Sequence, residues 1–227
     1  MNTTLEDLAK ERILILDGAM GTMIGTLMGK TGNSDELNLT RPDVITEIHR
    51  RYLKAGADII TTNTFSAQRI SQADYHLEDK AREMALEGAR IARRCADEFT
   101  TADKPRFVAG SIGPTNKTCS MSPDVSNPAL RDMTYDELYE AYYEEADALI
   151  EGGVDALLIE TIFDTLNAKV AIDASMQAMT RHGKTLPLMI SVTVSDLAGR
   201  TLSGQTLDAF LASMSCYPIF SPRLNIG

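Results

Sequence analysis

Two carboxylates stand where an apolar run gives way to a turn. In "GGVDALLIETIFDT", residues 152–165, the apolar residues Ala156 to Ile159 run directly into Glu160, and Asp164 follows. In "RILILDGA", residues 12–19, Asp17-Gly18 closes a similar run. A carboxylate at the end of a buried run needs a partner, because removing a lone charge from water is costly. Three further runs end in polar groups: "ADIITTNTF" (57–65) at Thr62-Asn63-Thr64, "RFVAGSIGP" (106–114) at Ser111 and Gly113-Pro114, and "LPLMISVTV" (186–194) near Thr193. Brought to one mouth, these ends make a polar site in which Asp17 and Glu160 face a shared ligand. The alternative for any single position is a cap on the next helix, and Asp164, which opens "DTLNAK", is read that way. The pattern names a site and leaves the reaction open.

The elements that would position these residues can be read from the intervals between them. Each run is short and nearly continuous in apolar character, as strands covered on both faces are. Helical spacing fills the intervals. "RPDVITEIHRRYLKAG" has Pro42 in its first turn and Gly56 at its end, and "DTLNAKVAIDASMQAMTRHG" ends on Gly183. "LEDKAREMALEGARIARRCADEF" and "TYDELYEAYYEEADALIEGG" carry apolar residues three and four apart, and "SGQTLDAFLASM" opens with Ser203 at an expected N-cap. His49 and His182 are expected on helix surfaces. Strand–helix repetition of this kind predicts an α/β fold with a parallel sheet covered by helices. "LKAGADIITTNTF" and "LIEGGVDALLIETIF" echo one another, which favours a TIM-type (β/α)8 barrel, whose sites lie at the C-terminal ends of the strands. One domain, residues 1–227, is expected, with five strands and part of a sixth.

With 22 basic and 32 acidic residues the net charge is −10, and no basic patch offsets it. That field argues against nucleic acid and anionic membrane surfaces. The polar N-terminus lacks the apolar core of a signal peptide, and no run is long enough to span a bilayer. Three widely spaced cysteines, Cys95, Cys119 and Cys216, fit a reducing compartment rather than a disulfide framework. A soluble, cytoplasmic location is the expectation.

Five blocks, in order, carry a resemblance: "LDGAMGTM" (16–23), "TNTFSAQ" (62–68), "GSIGPTNKTCSMSPDV" (110–125), "IETIFDTLNAK" (159–169) and "GRTLSGQT" (199–206). Together they resemble the homocysteine-binding module of cobalamin-dependent methionine synthase, within the homocysteine S-methyltransferase family. The resemblance implies a (β/α)8 barrel with homocysteine at its mouth. It implies a zinc ion on three cysteines that lowers the substrate thiol's pKa. It also implies a methyl group from methylcobalamin on a separate module, itself recharged from methyltetrahydrofolate on another, and an activation module in the parent enzyme. Carried onto this chain, it gives Glu160 the substrate's α-ammonium. Asp17 and Gly18 form the other side of the amino-acid pocket, with Ser111, Asn116 and Asn63 as further contacts. For Ser111 and Asn63 the alternative is a buried hydrogen bond between strand ends.

The chain departs from the family at "SCYPIFSPRLNIG". The family's first zinc cysteine lies in a Gly-Leu-Asn-Cys segment, and the matching positions here are Arg223, Leu224, Asn225 and Ile226. The adjacent cysteine pair of a later Gly-Gly-Cys-Cys segment has no counterpart. Zinc ligands are therefore expected to be absent, since Cys95, Cys119 and Cys216 fall on different parts of the repeat. A barrel stopping in its sixth strand is expected to be incomplete, with open edges that favour self-association; Pro222 in that strand fits an interrupted end. Two alternatives stay open: a fragment that at most binds the amino-acid end of homocysteine weakly, and a free-standing enzyme using a betaine or sulfonium donor, against which the long blocks speak. An unrelated phosphate-handling barrel would need a Gly-rich phosphate site at strands 7 and 8, which is not expected here.

Overall fold

A computed structural model describes residues 4–29, 32–195 and 199–226. The chain opens with α1 (Leu5–Glu11), α2 (Met20–Met28), α3 (Leu37–Thr40) and α4 (Pro42–Ala55), followed by β1 (Ile59–Thr61). It continues through α5 (Arg69–Gln72), α6 (Ala81–Phe99), β2 (Phe107–Ile112), α7 (Tyr135–Glu151), β3 (Ala156–Ile162) and α8 (Thr165–Arg181). It ends with β4 (Leu188–Val194), α9 (Leu207–Met214) and β5 (Ile219–Ile226). The five strands form one parallel sheet in the order β1-β2-β3-β4-β5. Sequential order with a helix between successive strands is the barrel-type winding expected from the sequence; among the described residues the sheet does not close.

Alternation along the strands divides the core in two. Val108, Leu157, Ile159, Leu188 and Ile190 face the helices and join the main cluster with Leu149, Ile150 and Ala171. Ile59, Phe107, Ala109, Ala156, Leu158 and Met189 face the concave side, where Leu5 and Leu8 of α1 cover its lower end. Only the upper layer of the concave face is left for polar groups. Helix α6 turns a stripe of small residues, including Ala85, Gly88, Ala89 and Ala92, toward its neighbours and so lies close to them. The helix ends follow their signals: Pro42 opens α4, Gly56 ends it at φ 111°, Thr134 and Glu137 form a capping box on α7, and Asp164 caps α8.

Several expectations need correction. The first apolar run, 12–19, is not a regular strand; only Leu16 bridges to Ile59. It is extended and bonded on one side, through Ile59 N–H to Ile15 O at 3.1 Å and Asp17 N–H to Ile59 O at 2.9 Å. On its other side Ile13 is 85% exposed. Asp58 holds this segment in place, accepting two hydrogen bonds from Arg12 (2.8 and 2.9 Å) and one from Ile15 N–H (2.9 Å). Helix α9 begins after Thr206, which caps it, rather than after Ser203. His49 is fully buried on the inner face of α4, next in sequence to Ile48, and neither ring nitrogen has a partner. Burial pushes its pKa down to about 4, so it stays neutral. His182 is partly buried and bonds Asp147 at 2.9 Å. Pro222 is accommodated within β5 because that strand has no neighbour on its far side among the described residues. No described helix is long and apolar enough to cross a membrane.

Gly113 shows how tightly the strand ends are packed. A Cβ there would lie 2.1 Å from the backbone oxygen of Phe65. Gly113→Ala is expected to lower stability by about 2–3 kcal/mol, measured by urea denaturation; an unchanged midpoint would show that the two loops are not held together.

Candidate functional site

Above the apolar floor of the concave face lies a cleft of about 800 Å³. Asp17, Gly18, Asn63, Ser111, Asn116 and Glu160 all line it. The one-sided pairing of residues 15–17 with β1 and the Arg12–Asp58 anchor bring Asp17 there. Asp17 accepts hydrogen bonds from Thr61 N–H at 2.9 Å and from the Thr61 hydroxyl. Gly18 lies beneath Tyr52, whose hydroxyl donates to Ala19 O at 3.2 Å; a Cβ on Gly18 would come within 2.9 Å of that hydroxyl oxygen.

Glu160 stands at an irregularity in β3. Ile159 pairs with Ile190 and Ile162 with Val192, so β3 spends one residue more than β4 over this step. Thr161 absorbs the difference at φ 60°, a left-handed conformation that a β-branched residue rarely adopts. Glu160, two residues after Leu158 on the same face of the strand, lines the cleft with it and accepts a hydrogen bond from the Ser111 hydroxyl at 2.5 Å. No sequence signal marked this bulge, since Thr161 is an ordinary strand residue.

The electrostatics are those of a site short of a cation. Burial pushes Asp17 up to about 7, against the pull of its Thr61 hydrogen bonds, and the nearby Glu160 carboxylate adds to the rise. Burial also raises Glu160, while the Ser111 hydroxyl and the Arg223 charge oppose it. Neither carboxylate has an ion-pair partner within 4.0 Å among the described residues.

The other expected residues have different settings. Asn63 is buried, and its amide donates to Ser34 O at 2.7 Å and to Asn38 Oδ1 at 3.1 Å. Asn38 in turn donates to Asn63 O and Met84 O. These amides build the cleft wall, the alternative anticipated for Asn63. Ser111 ties strands as well, since its backbone bonds Thr62 and Thr64. Asn116 lies at the rim and donates to Asp74 at 2.8 Å. The sequence reading missed Asp35, a buried wall residue whose pKa burial raises to about 6 and whose Oδ1 accepts from Ser66 N–H at 3.2 Å. Its setting in "GNSDELN" looked like an ordinary polar loop.

The cysteines do not make a metal site. Cys95 is buried in α6, Cys119 is buried with its thiol directed at Thr134 O at 3.6 Å, and Cys216 is exposed ahead of β5. Among the described residues no group of three or more His, Cys, Asp or Glu could hold a metal ion. The residues present do not fit the zinc site that the family resemblance implies.

The homocysteine S-methyltransferase family model matches residues 14–226, and the chain belongs to that family. Its fold is similar to that of the Escherichia coli homocysteine methyltransferase MmuM. Against the metallated form of MmuM the TM-score is 0.77 at 21% identity, covering 96% of this chain and 76% of the other. Against the oxidised form it is 0.79 at 22% identity, covering 99% and 77%. The apo form gives 0.69 at 23% identity, covering 96% and 73%.

Two predictions follow from the geometry. Thr161→Gly is expected to be neutral or stabilising in thermal melts, because it relieves the left-handed strain; Gly in a regular strand would cost up to about 1 kcal/mol. A clear loss of stability would contradict the bulge. Asp17 loses its proton near pH 4 when unfolded and at about pH 7 when folded. Between these values the folded chain holds a proton that the unfolded chain lacks, so stability falls as pH rises from about 4 to about 7. Asp17→Asn should flatten that part of the profile in urea melts at pH 5 and pH 8, and an unaltered slope would refute it.

Proposed function

We propose that this chain is the homocysteine-holding part of a methyltransferase of the cobalamin-dependent methionine synthase type. The observation that carries the reading is the pair of cation-free carboxylates, Asp17 and Glu160, at one cleft of a homocysteine S-methyltransferase family fold. The substrate's α-ammonium lies between them and supplies the missing positive charge through charge-assisted hydrogen bonds. Ser111 fixes the Glu160 carboxylate, Thr61 fixes that of Asp17, and the amide wall of Asn63 and Asn38 gives the cleft its shape. Asn116 is a contact at the rim. Bound ammonium draws both carboxyls toward their charged form, and because Asp17 is held at about 7, its share of that shift releases protons near neutral pH.

The "GPTNKT…SPDV" and "FDTLNAK" blocks favour the cobalamin-dependent type, with the methyl group arriving from methylcobalamin on another module. Generation of the thiolate is not assigned to any described residue. A second reading, binding of the amino acid without methyl transfer, is favoured by the scattered positions of Cys95, Cys119 and Cys216. The reading places the chain in the cytoplasm with folate, cobalamin and activation modules as partners. Self-association through the outer edges of residues 12–16 and β5 belongs to it too, since Ile13, Ile15 and Leu224 are exposed there.

Isothermal titration of the purified chain with L-homocysteine under reducing conditions tests the binding step. Glu160→Gln is expected to weaken affinity by roughly 10- to 100-fold, the range for a hydrogen bond to a charged group. Equal affinity in wild type and variant would remove Glu160 from the site. Treatment with a chelator should leave the wild-type affinity unchanged, and a chelator-sensitive affinity would mean that a metal does hold the substrate.

A further inference from the structure

Arg223 occupies a place that neither the fold nor the proposed ammonium site requires. In β5 it is in register with Ser191 of β4, and both line the cleft with Glu160. Ile159 is in register with Ile190, which brings Glu160 level with Ser191. Glu160, Ser191 and Arg223 therefore form one row across three adjacent strands, on the concave face. Two strand spacings separate the ends of the row, roughly 10 Å between backbones. The guanidinium makes no hydrogen bond, and no ion pair within 4.0 Å, with any described residue.

An acid and a base thus face one cleft without closing on each other. Arg223 is exposed, on a strand at the edge of the described sheet, and makes no hydrogen bond or close ion pair that the fold would lose. A simple amine entering the cleft would meet the repulsion of Arg223, and a simple carboxylate that of Asp17 and Glu160. A ligand carrying both charges on neighbouring atoms satisfies both ends. The planar fork of an arginine suits a carboxylate, which it can hold through two parallel hydrogen bonds.

We propose that Arg223 takes the α-carboxylate of the amino acid whose ammonium lies at Asp17 and Glu160, making the cleft selective for zwitterionic amino acids over amines of the same length. This rests on the binding reading above and adds a specificity-determining residue to it. The Coulombic influence of Arg223 on Glu160, which lowers that carboxyl's pKa, accords with the two groups sharing one ligand.

The test compares two thiols by isothermal titration of the whole chain: L-homocysteine, and 3-aminopropane-1-thiol, which is homocysteine without its carboxylate. Wild type should prefer homocysteine by roughly 10- to 100-fold. Arg223→Gln should lose that preference, weakening homocysteine by the same factor and leaving the aminothiol unchanged or tighter, while Glu160→Gln weakens both ligands. Arg223→Lys keeps a point charge and should retain part of the preference. If Arg223→Gln binds homocysteine as wild type does, this proposal falls and the ammonium site stands. If Arg223→Gln weakens both ligands equally, Arg223 acts on the fold and the proposal falls. If neither thiol binds the wild type, the binding reading falls and Arg223 with it.

Discussion

Two carboxyl groups in one half-dry layer, with no cation against either, constrain everything above the apolar floor of this sheet. Asp17 comes from the extended segment beside β1 and Glu160 from the central strand β3, and the local structure at each position differs. Asp17 depends on a short extended segment anchored by the Arg12–Asp58 pair. Glu160 follows the alternation of β3, beside a bulge whose extra residue is taken up in a left-handed Thr161. The extended segment also packs Leu14 and Leu16 against the concave core, whereas the bulge introduces strain at Thr161. Strain and desolvated charge in one place are what a binding site exacts from a fold.

The layers beneath follow simpler rules. Leu158 and Met189 fill the concave face at the level where α1 covers it, while Leu157 and Ile190 fill the opposite face against α7 and α8. Because side chains alternate along a strand, one position further on changes the face, and Glu160 falls on the cleft side only because of the inward direction set at Leu158. Tight contacts at Gly113 and Gly88 keep the loops over β1 and β2 from spreading, so the amide wall of Asn38 and Asn63 holds its shape without a ligand.

Much of this architecture was legible in the sequence. The apolar runs at 57–65, 106–114, 155–163 and 186–194 each contain a strand, and the polar exits of the first three converge on one cleft; the fourth run reaches it through Ser191, while Thr193, the exit expected there, does not line it. Asp164 caps its helix as its position implied. What stayed illegible depends on tertiary context. The run at 12–19 has strand composition yet pairs on one side only, so it is extended without being a regular strand. His49 stands in an apparently polar stretch, "TEIHRRY", but its position on α4 turns it inward. The left-handed Thr161 has no compositional mark. Arg223 looked in the sequence like a departure from a cysteine-bearing segment, and only the β4–β5 register shows it facing Glu160. The metal-binding residues that the family resemblance led one to seek are not assembled among the described residues. The polar half of the pocket stands independently of them.

The most direct test of the account is a carboxyl carbon NMR titration that follows Asp17 and Glu160, with and without L-homocysteine. The account predicts that free Asp17 titrates at about pH 7 and Glu160 above the ordinary range for its type, and that both move down when homocysteine binds, because its ammonium replaces the missing cation. If both carboxyls titrate unchanged in the presence of bound homocysteine, the ligand lies elsewhere and the two carboxylates are not its site.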